Sequence, residues 1–164
     1  MSLFPLVQGA RAVRSGRFGE VTLEAGFSAY GVKIVNDDHV YHTGDGGLWA
    51  RKDLVLVRQY PVGNIKLDFM YRDFARDISL PIECKQQMGG GTTDQKLAYA
   101  VDVLVEAGFP AFWLVLSGGG FDPRVTKAVD AKIRNLRGVK GRLLFNAGPI
   151  LQRAIEQLVE KGAP

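Results

Sequence analysis

The chain predicts a single α/β domain: a mixed β-sheet with helices packed on it. Three observations carry this. Between residues 53 and 86 lie three β-rich runs joined by short connections. From residue 92 the apolar period changes from two to that of a helix. After that, helical and strand-length segments alternate to the end, and an antiparallel run followed by αβα units makes a mixed sheet. At 164 residues one domain, 1–164, is the expectation, and it can bury a sizeable core without staples.

Each element has its own signal. "RFGEVTLEAGFSA", 17 to 29, reads as a helix ended by Tyr30-Gly31, with Gly26 weakening its last turn. "GVKIV" is a short strand. "NDDHVYHTGDGGLWARK" is loop-like, punctuated by Gly44, Gly46 and Gly47. "DLVLVRQY", "NIKLDFMYR" and "ISLPIECKQ" are strands, and the short "DFARD" joins the last two as a hairpin. Leu97, Val101, Leu104 and Val105 recur at helical spacing behind Thr92 and Gln95, which match a capping box, and the helix should stop at Gly108. "AFWLVLS" is a strand, "SGGGF" a loop, and Asp122-Pro123 an N-cap and first residue of the next helix. "GRLLFN" is a strand, and "PILQRAIEQLVEKG" a helix starting at Pro149.

Composition excludes some classes. Hydrophobic content of 46% and charged content of 23% are those of a soluble globular protein. A lone cysteine, Cys84, rules out an internal disulfide and fits a reducing compartment. No apolar run spans a bilayer and no signal peptide is evident, so a cytoplasmic protein without a membrane partner is expected. The net charge of +4 is unevenly spread: Arg124, Lys127, Lys132, Arg134, Arg137, Lys140 and Arg142 crowd one segment against only Asp130. Arg11, Arg14 and Arg17 form a smaller cluster. Such clusters suit a polyanion, or a solvated helix face.

The chemistry concentrates in "IECKQQ". Alternation puts Leu67, Phe69 and Tyr71 on one face of their strand and Lys66, Asp68, Met70 and Arg72 on the other. In the next strand Ile78, Leu80, Ile82 and Cys84 share a face, and Glu83, Lys85 and Gln87 the opposite one. In a hairpin, Asp68, Glu83 and Lys85 can converge. Buried charge is costly unless paired or used. A salt-bridge network is one use. A metal site is another: Mg²⁺ takes carboxylates and waters, polarises a phosphoryl oxygen and activates water, while a lysine stabilises developing charge.

Asp68, then 14 residues, then Glu83-Cys84-Lys85 resembles the motif of PD-(D/E)XK nucleases. The order helix, three strands, helix, strand is similar to that family's core, followed here by a further αβα. "IECKQQMGGGTTDQKLAYAV" also resembles a prokaryotic and phage-borne subgroup with a strand "IECKxQ", a Gly/Ser-rich turn and a helix opening "DEKLPY". Gln95 and Ala98 depart from that opening, and Leu67 stands where the motif has proline. The resemblance covers roughly residues 16 to 135. It implies a restriction-endonuclease-like fold and a metal-dependent DNA endonuclease, using Mg²⁺ with Mn²⁺ as a substitute. Asp68 and Glu83 would be metal ligands and Lys85 the catalytic lysine. Gln87 would be an amide near substrate or water, and Glu20 (or Glu24, one turn on) the first-helix carboxylate.

DNA is the implied partner, held by Thr92, Thr93 and Lys96 at a helix start and by Arg124, Lys127, Arg134, Arg137 and Lys140. Duplex cleavage at one place implies a homodimer. Competing readings are a non-catalytic DNA-binding module on the same fold, and a nucleotide-binding α/β protein using "SGGG". That loop is neither GxGxxG nor a Walker motif, and no nucleotide cofactor is expected. His39 and His42, beside Asp37 and Asp38, lack a third ligand pattern for zinc. Trp113 reads as core, Trp49 as a loop residue, and Cys84 as pointing into the apolar layer rather than as a nucleophile.

Overall fold

The computed structural model describes residues 18–35, 48–56, 65–89, 93–146 and 149–164. The clusters at Arg11, Arg14 and Arg17 and at His39 and His42, and Thr92, lie outside them. The elements are α1 (Phe18–Ala29), β1 (Lys33–Val35), β2 (Leu48–Leu56), β3 (Ile65–Asp73), β4 (Ile78–Gln86), α2 (Thr93–Glu106), β5 (Ala111–Ser117), α3 (Pro123–Arg134), β6 (Lys140–Phe145) and α4 (Pro149–Lys161). The strands form one six-stranded sheet in sequence order, β1 to β6. β2, β3 and β4 run antiparallel; β1 joins β2, β5 joins β4 and β6 joins β5 in parallel. Parallel neighbours need a crossover, and α2 and α3 supply those between β4, β5 and β6.

Helices cover both faces. On one, Leu23 and Phe27 of α1 and Leu151, Ile155 and Leu158 of α4 pack on Phe69, Tyr71, Leu80, Ile82, Trp113 and Val115. On the other, Leu97, Val101 and Leu104 of α2 and Val129 and Ile133 of α3 pack on Met70, Phe112, Leu114 and Leu116. β5, buried along its whole length, serves both layers. Trp113 is in the core as expected, with the Arg142 guanidinium 5.8 Å from the ring centre. Asp122 caps α3, accepting from the Arg124 N–H, with Pro123 following. α2 runs out at Gly108, whose φ of 79° is open to glycine.

Two expectations are corrected. β2 begins at Leu48, inside the segment read as loop, because Trp49 pairs with Lys33 on one side and Arg72 on the other. Glycine punctuation hid a strand that its neighbours stabilise from both sides. Leu67 does not share a face with Phe69 and Tyr71. It packs in the α2/α3 layer while they pack in the α1/α4 layer. Strict alternation fails at the residue between, Asp68, where β3 leaves its ladder with β4: the last paired residues are Phe69 and Ile82.

The far end of the β3–β4 hairpin is stitched to α4. Asp73 is 1% exposed and accepts from the Arg76 N–H at 3.1 Å and its guanidinium at 2.7 Å. The same guanidinium donates to the Val159 and Glu160 carbonyls near the end of α4. Arg76→Ala therefore leaves a buried carboxylate short of partners and should lower stability by about 1–3 kcal/mol in urea unfolding. An unchanged midpoint would mean solvent serves Asp73 equally well.

Candidate active site

The β3–β4 seam opens one residue before Glu83, and a side chain fills the gap. Asp68 Oδ2 accepts the Cys84 backbone N–H at 2.7 Å. A strand N–H left without its ladder partner needs another acceptor, and the carboxylate supplies it. Asp68 is thereby placed between Glu83 and Lys85. The two flanking side chains meet each other, Lys85 Nζ donating to Glu83 Oε1. With side chains 15% and 25% exposed, Glu83 and Lys85 form a largely desolvated pair.

α1 brings a third carboxylate. Gly19 lies against Ser117, close enough that a Cβ there would overlap the Ser117 Oγ. That contact lets the first turn of α1 descend onto β4 and β5, so Gly19, Glu20, Cys84, Lys85, Gln86 and Ser117 line one small pocket. Ser117 is held from the other side by the Asn146 amide at 3.2 Å. Glu20, not Glu24, is the first-helix carboxylate in that pocket.

The charges converge on Cys84. Burial pushes its thiol well above the ordinary value, and the negative charges of Asp68, Glu83 and Glu20 push it further, against a smaller opposing effect of Lys85. A thiol so placed stays protonated and is a poor nucleophile. It packs against the α1/α4 layer, as expected.

Gln87 is buried rather than open to solvent, with its amide donating to Gly120 O and Asp94. Among the DNA-contact candidates, Lys96 and Lys127 are exposed. Arg124 pairs with Asp122, Arg134 with Asp130 and Lys132 with Asp102. Lys140 opposes Ala111 whereas Lys85 opposes Leu116, five residues along β5. Lys140 thus stands about 16 Å from the site along the strand direction, and Arg134 and Arg137 close the same end. The site faces the first turns of α2 and α3. Gly118 and Gly120 of "SGGG" face the chain leaving β4, since a Cβ at Gly118 would strike Gln87 O and one at Gly120 the Gly89 N, while Gly119 faces open space. Sequence reading gave no role to Gly19, Asp94, Ser117 or Asn146; Asp94 stood there only as a match to the subgroup's helix opening, and the others as small or polar residues beside a strand end or helix start.

Among the described residues no group of three His, Cys, Asp or Glu is gathered tightly enough to cage a metal ion by itself. The donors are hard carboxylate oxygens at an opened strand seam. That set fits Mg²⁺, which keeps several waters and takes one or two carboxylates besides substrate phosphates.

Mixed sheet, flanking helices and seam together define a restriction-endonuclease-like α/β protein. The sequence matches the PD-(D/E)XK nuclease superfamily domain over residues 11–155, and the chain belongs to that superfamily. Among solved structures it is similar to "Crystal Structure of Protein of Unknown Function AF1548", at 14% identity and a TM-score of 0.43, over 85% of this chain and 66% of that one. It thus spans about two thirds of that protein's length. No curated protein matches the chain closely enough to count as a relative. No helix among the described residues is long and apolar enough to cross a membrane.

The buried thiol has a pH signature. In the unfolded chain it titrates near its ordinary value of 9.0, and in the folded chain higher. The folded state therefore holds its proton longer. The stabilisation is complete below pH 9 and is lost as pH rises from there toward the folded value. Unfolding free energy of the wild type should fall above pH 9 by up to about 1.4 kcal/mol per pH unit more than that of Cys84→Ala. Parallel slopes for the two proteins would place Cys84 in solvent.

Proposed function

We propose that the protein is a Mg²⁺-dependent deoxyribonuclease that hydrolyses phosphodiester bonds endonucleolytically, with Mn²⁺ able to substitute. The observation that carries this is the Asp68 carboxylate bound to the backbone between Glu83 and Lys85. It gathers two carboxylates and a lysine at one opening in the sheet. Asp68, Glu83 and Glu20 hold the metal. When bound, the ion polarises the phosphate and lowers the pKa of the attacking water. Lys85, released from Glu83, stabilises negative charge on the phosphorus oxygens and orients the nucleophile. Gln87 supports that arrangement from the end of β4.

DNA lies across the end of the sheet where α2 and α3 begin. Lys96, Arg124 and Lys127 stand nearest, with Thr92 and Thr93 in the same segment; Arg134, Arg137 and Lys140 are the more distant contacts. Phosphate contacts of this kind position the duplex without reading sequence. One site cuts one strand, so duplex cleavage at one place takes two copies of the chain. The setting is a prokaryotic or phage-infected cytoplasm.

A second reading is a non-catalytic DNA-binding module. It is favoured by Lys85 resting on Glu83 and by the lack of a preformed three-carboxylate cage among the described residues.

Cleavage of linear, circular, single-stranded and branched DNA with Mg²⁺, Ca²⁺ or EDTA separates the two. Wild type should cut with Mg²⁺ and stop with EDTA. Lys85→Ala should lose ~10²–10³-fold in rate while still binding DNA. Asp68→Ala and Glu83→Ala should lose cleavage through the metal, and bind DNA at least as well without it. A wild type that binds DNA but cuts nothing with any divalent ion would select the binding module.

Salt dependence sorts the basic residues. Lys96→Ala and Lys127→Ala should each flatten the log–log slope of DNA affinity against salt by about one unit. Arg134→Ala should change it less, because Asp130 already neutralises that guanidinium. The reverse order would move the duplex toward the Lys140 end.

A further inference from the structure

The chain leaving β4 is held by bonds that reach well past the strand. The Gln87 N–H donates to Ser117 O at 3.0 Å, and its carbonyl accepts the Gly120 N–H at 2.9 Å. The side-chain Nε2 donates to Gly120 O at 2.7 Å and to Asp94 Oδ2 at 3.3 Å. An amide nitrogen has two protons, and both are used. Both partners are acceptors only, so the amide has one orientation: turned over, its oxygen would face two oxygens. Asp94, in the first turn of α2, also accepts the Asp122 N–H at 3.3 Å at the start of α3. One carboxylate therefore ties the exit of β4 to the beginnings of two helices. Gly118 and Gly120 permit the approach, because a Cβ on either would collide with the backbone of Gln87 or of Met88 and Gly89.

We propose that Asp94 is a positioning residue for the Glu83–Lys85 site, acting through Gln87. The proposal rests on the nuclease reading above. Lys85 stands two residues before Gln87, and its strand partner Leu116 stands next to Ser117. Gln87 and Gly120 extend the β4–β5 pairing beyond its last ladder pair, and Asp94 fixes the amide that closes it. Without Asp94, one Nε2 proton and the Asp122 N–H lose their acceptor together, and the strand end carrying Lys85 gains freedom. Misplacement by about 1 Å can cost ~10²-fold in rate. Asp94 itself need touch neither metal nor DNA.

The test compares the full-length wild type with Asp94→Ala and Gln87→Glu. Asp94 Oδ2 alone lies within reach of both the Gln87 amide and the Asp122 N–H, so asparagine could still serve both, whereas alanine removes the acceptor from each. Glutamate at 87 sets a carboxylate against Asp94 and Gly120 O. Asp102→Asn is the control, removing an exposed ion pair with Lys132 from the same helix. Three readouts are needed: kcat and KM on duplex DNA with Mg²⁺, DNA affinity with Ca²⁺, and amide exchange over residues 82–87.

Both variants should lose ~10²-fold in kcat with KM and Ca²⁺-supported affinity held within roughly twofold. Exchange over 82–87 should quicken, and Asp102→Asn should match wild type throughout. A wild-type kcat in Asp94→Ala, or equal losses in kcat and affinity, would overturn the proposal. If wild type cuts no DNA with Mg²⁺ or Mn²⁺, the nuclease reading fails instead. The clamp is then still decided by exchange, and unchanged rates in Asp94→Ala and Gln87→Glu would sink it independently.

Discussion

A single carboxylate at the β3–β4 seam sets the geometry of everything around it. Backbone groups inside a sheet must find partners, and two strands that separate leave theirs exposed. Asp68 answers for the Cys84 N–H, so the seam can open without an orphaned donor. The opening lets Glu83 and Lys85 stand as a pair with access to the end of the sheet. On either side of Asp68, Leu67 and Phe69 pack in opposite layers. The carboxylate that closes the seam thus sits where β3 changes the layer it feeds.

The second layer of control is the close approach of helices to strand ends. α1 reaches β5 because Gly19 presents no side chain to Ser117, and that brings Glu20 down to Cys84. α2 and α3 meet the exit of β4 through one carboxylate shared between Gln87 and Asp122. Each acidic group near the site thus sits on a different element: β3, β4, α1 and α2. Their mutual repulsion is tolerated because each has a donor or cation close by, or solvent. Cys84, lying among three of them, is the group whose titration records the crowding.

Much of this was legible in the sequence. The change from alternating to helical periodicity near residue 92, the Asp122-Pro123 start and the short hairpin connection all reflect local physics, and they stand where expected. The pairing of Asp68 with the Glu83–Lys85 segment followed from a hairpin register that turn length fixes. What escaped was non-local. Trp49 joined a strand because two neighbours bind it, which glycine spacing cannot show. Leu67 packs with the α2/α3 layer, which alternation along β3 does not show. Ser117 looked like an ordinary polar residue and Asp94 like one position of a helix-opening motif, until the fold set them against Gly19 and Gln87. The basic segment looked uniform along the chain, yet α3 carries its two ends to opposite ends of the sheet.

The order of the sheet has a consequence for how the chain assembles. Each strand lies beside its sequence neighbour, so the sheet can grow one strand at a time with modest loop closures, a topology that favours fast folding. The layer over Phe69 and Trp113 is different. It holds α1, the earliest described element, together with α4, the last. Gly26 of α1 lies directly against Ile155 of α4. That half of the core therefore joins the two described elements farthest apart in sequence, and the helix that carries Glu20 is braced by the helix most distant from it along the chain.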